Sequence, residues 1–156
     1  MPEELEVGDC WIALSLAQLS GLILTGRVGK HTDELAEELV FSTQGKTDCR
    51  EWHTDGWGGY ERVLCHGEIE HYVSKALMQR SERTNGIVRQ QTGRWHRRQN
   101  KFAKVWEQTK VTLRLVIGYF NWIWQHTRLD TTAAQRAGLT LHPWTWNDLV
   151  TYPTLC

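Results

Sequence analysis

The stretch "EWHTDGWGGYERVL", residues 51–64, decides how this chain is read. Trp52 and Thr54 favour extended backbone. The run stops at one carboxylate, Asp55, and enters a turn rich in glycine: Gly56, Gly58 and Gly59, with Trp57 and Tyr60 beside them. This pattern predicts a short strand ending at Asp55, then a turn, then a short helix over 57–64. A carboxylate between a strand and a glycine turn is a candidate site residue, so its partners must be found elsewhere in the chain.

Upstream, "CWIALSLA" (10–17) alternates, with Cys10, Ile12, Leu14 and Leu16 on one face. "LILTGRV" (22–28) alternates again, and "QLSG" between the two reads as a hairpin turn. Thr32 then has the character of a helix N-cap. Asp33 and Glu34 follow in the first turn, where the helix dipole favours acids, and Leu35 and Leu39 supply a buried stripe. Downstream, "IEHYVS" (69–74) reads as another strand.

From about Leu77 the period becomes helical. Glu82, Asn85 and Arg89 share one face; Thr84, Val88, Gln91 and Trp95 share another; Gly93 marks a break. A second, long amphipathic helix follows. Phe102, Val105, Trp106, Thr109, Leu113, Val116, Ile117, Phe120 and Trp124 form its apolar stripe, opposite Lys101, Lys104, Lys110 and Arg114. Strands interleaved with helices predict an α/β class: a mixed sheet with helices on both faces and an antiparallel hairpin at one edge. The length suits one domain over 1–156, with a linker-like start (1–9), a core (10–125) and an aromatic, Pro-punctuated tail (126–156).

Composition narrows the function classes. No run of eighteen apolar residues exists, which argues against a membrane span. The acidic start "MPEELEVGDC" has no apolar signal core. Cys10, Cys49, Cys65 and Cys156 lack paired spacing, so reduced thiols in the cytoplasm are expected. Formal net charge is zero, yet acids dominate before Asp55, and between residues 80 and 114 ten Arg or Lys residues face only Glu82 and Glu107. Such a block attracts polyanions, against the plainer reading of a solvated helix face.

Glu82 therefore draws notice as an acid inside "QRSERTNGIVRQ". By spacing alone an ion pair with an arginine one turn away explains it, worth a few tenths of a kcal/mol. Two-metal phosphoryl chemistry would give Asp55 and Glu82 a reason to converge. Hard Mg²⁺ prefers carboxylate oxygens, and two ions about 4 Å apart clamp the attacking and leaving oxygens. Nearby Arg and Lys side chains would hold nucleic-acid phosphates.

"TDGWGGYE", "QRSERTNGIVRQ" and "NKFAKVWEQTKVTLRLVIGYFNWIW" together resemble the C-terminal part of insertion-sequence-one family transposases, from about Cys10 onward. The tail "TTAAQRAGLTLHPWTWNDL" also looks like the C-terminal segment of related transposases. The resemblance implies a ribonuclease-H-like DDE enzyme that cuts and joins DNA with two Mg²⁺ or Mn²⁺ ions. Asp55 would be the second catalytic Asp and Glu82 the catalytic Glu, both metal ligands, with 26 residues between them. Lys75, Arg80, Arg83, Asn85 and Arg89 fall in the family's motif region as DNA contacts. Arg94, Trp95, Arg97, Arg98 and Lys101 extend that set along the basic block.

The family's first catalytic Asp lies on a central first strand, in an Asp-Glu-x-Trp-like motif. Upstream of Cys10 stands "MPEELEVGD", without that motif. The expectation is thus a sheet lacking its first strand, in a truncated, mis-started or split copy with weak or no activity alone. The partners implied are insertion-sequence ends and target DNA, and a full-length or complementary transposase chain. The alternative is a non-catalytic DNA-binding fragment, or an inhibitor of full-length transposase. Other chemistry is poorly supported. Cys49, His53, Cys65, His66 and His71 lack zinc-ligand spacing, and neither Ser81 nor Cys65 sits in a nucleophile motif. Trp106, on the apolar stripe, is expected in the core.

Overall fold

The computed structural model describes residues 10–76, 78–92 and 106–153. Gly93, Arg94, Trp95, Arg97, Arg98 and Lys101 lie outside the described residues. The element order is β1 (Trp11–Leu16), β2 (Ile23–Gly29), α1 (Asp33–Gln44), β3 (Glu51–Thr54), α2 (Gly58–Leu64), β4 (Glu70–Val73), α3 (Gln79–Thr92) and α4 (Trp106–Gly118). A π-helical turn (Tyr119–Ile123) and two short helices, α5 (Ala133–Arg136) and α6 (Trp146–Thr151), complete it. The order of strands and helices is the one the periodicity predicts.

β1 and β2 form an antiparallel hairpin, in register from Trp11↔Gly29 to Ser15↔Thr25 and irregular between Ser15 and Leu16. The alternation in β1 sorts its side chains to two faces. Ile12, Leu14 and Leu16 pack on the main core of Ile23, Val28, Val88, Leu113, Val116, Phe120 and Ala133. Ala13 turns to the opposite face and meets Leu35 and Leu39 of α1, with Tyr60 against them. Ser15, on that same face, hydrogen-bonds Thr43 of α1 at 2.7 Å. Helices thus cover both faces of the hairpin. Gly26 lets α4 approach closely: a Cβ there would lie 2.7 Å from Ile117 Cδ1 and 2.9 Å from Leu113 Cδ2.

β3 and β4 pair in parallel from Glu51↔Glu70 to Thr54↔Val73, with α2 in the crossover. Among the described residues the strands make two two-stranded sheets, β1–β2 and β3–β4, not one continuous sheet.

Trp106 is 8 % exposed and lies on the buried stripe with Thr109, Leu113 and Val116. The stripe's regular period ends at Gly118. The backbone widens there, and Trp124 N–H donates to Tyr119 O at 2.8 Å, five residues back. Widening buries two successive side chains, Phe120 and Asn121. The Asn121 amide accepts from Ile23 N–H at 2.9 Å and donates to Ile23 O at 2.8 Å, clamping the first residue of β2. The tail packs back: Ala133 joins the main core, and Arg136 Nε donates to Ser20 O at 2.8 Å. Among the described residues no helix is long and apolar enough to cross a membrane.

Candidate functional site

Asp55 stands one residue beyond β3, exposed, at the carboxyl end of the parallel pair. Its Oδ1 accepts the Trp57 N–H at 3.0 Å, the short-range bond that Asp makes in turns. Among the described residues no cation pairs with it, and its second oxygen has no partner.

Aromatic packing fixes the turn that holds it. The Trp57 ring stacks on His31 at 4.1 Å, and His31 stacks on Trp11 at 4.1 Å. Tyr60 meets Trp57 edge-on at 5.1 Å. The glycines make this possible. A Cβ at Gly59 would sit 2.5 Å from the Trp57 indole, so the ring lies where any other residue would place a carbon. The Asp33–Arg62 fork, with both bonds at 2.7 Å, ties α1 to α2 beneath the turn. That guanidinium holds Asp33 below the ordinary carboxylate value. Burial, and then the negative charge of Asp55, push the Tyr60 phenol above its ordinary value.

Glu82 lies in the first turn of α3, exposed, beside exposed Arg83 and Asn85; Arg89 is exposed one turn further on. No described cation pairs with Glu82, so the helix-face ion pair that spacing suggests is not formed among the described residues. Thr84 and Val88 are buried, and they carry the opposite face into the core. Lys75 is exposed in the turn after β4. Arg80 is engaged within the chain. Its guanidinium donates to the carbonyls of Gln18 and Leu19 and so anchors α3 to the β1–β2 turn.

Arg80 holds the start of α3 at the turn end of the hairpin, whereas the stack beside Asp55 ends on Trp11, at its open end. No described contact joins Asp55 to Glu82, and no group of three or more His, Cys, Asp or Glu side chains is poised for a metal among the described residues.

The His and Cys residues are engaged locally. His71 Nε2 meets Thr54 Oγ1 at 2.6 Å, His53 Nε2 meets Glu51 Oε1 at 2.6 Å, and Cys49 Sγ points to Glu51 O at 3.6 Å. Cys65 Sγ lies 3.5 Å from His66 Nε2, a contact between sequence neighbours that spacing alone does not predict. Cys49 and Cys65 are free thiols. Sequence reasoning also missed the Trp11–His31–Trp57 stack. Each ring comes from a different element, and only the "DGWGG" glycines hinted at a packed indole.

The family model described as IS1 transposase matches residues 7–124. No curated protein matches the chain.

Proposed function

The chain belongs to the IS1 transposase family, and we propose on that premise that it acts on DNA by metal-dependent phosphoryl transfer, with Asp55 and Glu82 as catalytic carboxylates. The family places the chain in DNA transposition. The observation that carries the finer reading is Asp55 itself: an exposed carboxylate at the end of a parallel strand, held by one backbone N–H, with its other oxygen free.

Asp55 fits a hard divalent cation, which takes carboxylate oxygen and needs no neighbouring base. When bound, Mg²⁺ or Mn²⁺ supplies charge stabilisation to the attacking and leaving oxygens. The protein's share is positional. The Trp57 N–H orients one Asp55 oxygen, and the stack on His31 and Trp11 keeps the turn from swinging. Glu82 is exposed and unpaired among the described residues, so it offers a second carboxylate. The Arg80 bonds to the Gln18 and Leu19 carbonyls fix the first turn of α3 that carries it. Lys75, Arg83, Asn85 and Arg89 lie along the exposed side of the same segment, where DNA phosphates approach.

A second reading, a DNA-binding chain with little or no turnover, is favoured by the absence, among the described residues, of any group of three or more acids, His or Cys that could hold a metal. A nicking and strand-transfer assay with Mg²⁺ or Mn²⁺ distinguishes the two. The catalytic reading expects turnover that Asp55→Ala lowers by at least about a hundredfold, as loss of several kcal/mol of charge stabilisation requires. Under the binding reading, DNA affinity survives Asp55→Ala and Glu82→Ala, and no metal-dependent product forms.

A further inference from the structure

A second basic surface lies between the hairpin and α4, and it is assembled from distant parts of the sequence. β2 contributes Arg27; Lys30 follows one residue after it ends; α4 contributes Lys110 and Arg114. All four line a groove of about 430 Å³. Glu34 and Glu38 of α1 line it too, with Val28, Leu35 and Leu113 among its apolar residues.

Two of the four cations, Arg27 and Lys30, have no carboxylate partner among the described residues, whereas Arg114 acts electrostatically on Glu107. Arg27 donates Nε to Ser42 Oγ at 3.1 Å, a neutral acceptor. Lys30 and Arg114 are exposed and make no described ion pair. Lys110 pairs with Glu107 at 2.8 Å, one turn away on an exposed helix face, where such a pair is weak. Arg27 also lowers the affinity of neighbouring Lys46 for its proton, after the larger effect of burial. Four cations against two carboxylates in one concave lining leave net positive charge that attracts an anion, and the carboxylates restrict where it can lie.

The groove's position names that anion. Lys30 adjoins His31, whose ring stacks on Trp57, and the Trp57 N–H holds Asp55. The groove and the candidate carboxylate are therefore linked through the Lys30, His31 and Trp57 segments. Phosphates repeat along each strand of a duplex about every 3.4 Å of axis, so a strand at Asp55 presents further phosphates to its surroundings. We propose that this groove is a phosphodiester-binding track in which Lys30, Arg114 and Arg27 hold the backbone of DNA engaged at Asp55. The proposal rests on the DNA reading above but concerns binding, not cleavage.

The test is fluorescence anisotropy of the whole chain with a short random-sequence duplex, read across a salt series. Lys30→Glu and Arg114→Glu are each expected to weaken binding on the order of tenfold at low salt. Lys30→Gln and Arg114→Gln are expected to reduce the slope of log affinity against log salt by about one each. Glu34→Gln and Glu38→Gln are expected to tighten binding. Arg128→Glu, an exposed charge in the tail, is expected to leave it unchanged. Acetylation footprinting needs no variant and is expected to show Lys30 protected by the duplex. Wild-type affinity in the Lys30 and Arg114 variants, with Lys30 unprotected, overturns the track even if Lys75→Ala or Arg83→Ala weakens binding and so sustains the DNA reading. Failure of the unaltered chain to bind duplex at any salt overturns both.

Discussion

At the scale of single residues, the Asp55 turn depends on an absence of atoms as much as on their presence. Gly59 leaves room for the Trp57 indole, so Gly59→Ala must displace either the ring or the backbone. Overpacking of this kind costs about 1–3 kcal/mol, and near-UV circular dichroism together with a thermal melt should record both the lost stack and the lower Tm. Gly86, inside α3, is the contrast. A Cβ there meets nothing within 4 Å, so Gly86→Ala should raise stability by about 0.5–1 kcal/mol. Tyr60 reports on Asp55 directly. Its phenol is raised first by burial and then by the Asp55 charge, so it loses its proton at higher pH in the folded chain than in the unfolded one. A raised acid of this kind contributes stability in full below its unfolded value of about 10 and loses it as pH climbs through the folded value. Asp55→Asn should move the Tyr60 transition downward in an ultraviolet titration, with burial keeping it above the ordinary value.

At the scale of elements, the hairpin was legible because its side chains alternate: Ile12, Leu14 and Leu16 face one core, and Ala13 and Ser15 face α1. The start of α1 was legible from Thr32, Asp33 and Glu34, although the Thr32 side chain does not itself cap the helix backbone. α2 and its glycine turn followed from "DGWGGYERVL" as a unit. The π turn was not legible. Helical period places Phe120 and Trp124 on the apolar stripe and leaves Asn121 outside it. Only the contact with Ile23, 98 residues away in sequence, makes the wider turn favourable. Division of the strands into two pairs was equally hidden, because pairing depends on neighbours distant in sequence. Asn121→Ala would leave the Ile23 N–H and C=O buried without partners at that end of β2. The expected loss is about 2–4 kcal/mol, visible in chemical denaturation, whereas Asn121→Asp restores only the acceptor and should recover part of it.

At the scale of the whole molecule, a formal charge of zero conceals segregated charge. Cations from the hairpin and α4 meet in one groove, while Asp55 and Glu82 stand as exposed, unpaired acids on separate elements. The sequence made the two carboxylates visible through their motifs, but it could not show that Arg80 fastens α3 to the β1–β2 turn. Arg80→Ala should therefore free the first turn of α3. It should lower stability, and if Glu82 must travel, it should strengthen rather than weaken Mn²⁺ binding by the chain, as calorimetry would record. The central claim, that Asp55 and Glu82 serve one metal centre, is tested most directly by Fe²⁺-directed backbone cleavage. Fe²⁺ replaces Mg²⁺ on the DNA-bound chain, ascorbate and peroxide are added, and the cut positions are mapped. The account predicts cuts clustered around residue 55 and around residue 82, both lost in Asp55→Ala and both weakened in Glu82→Ala. Cuts at neither position, or cuts near 55 that persist unchanged when Glu82 is replaced, would contradict it.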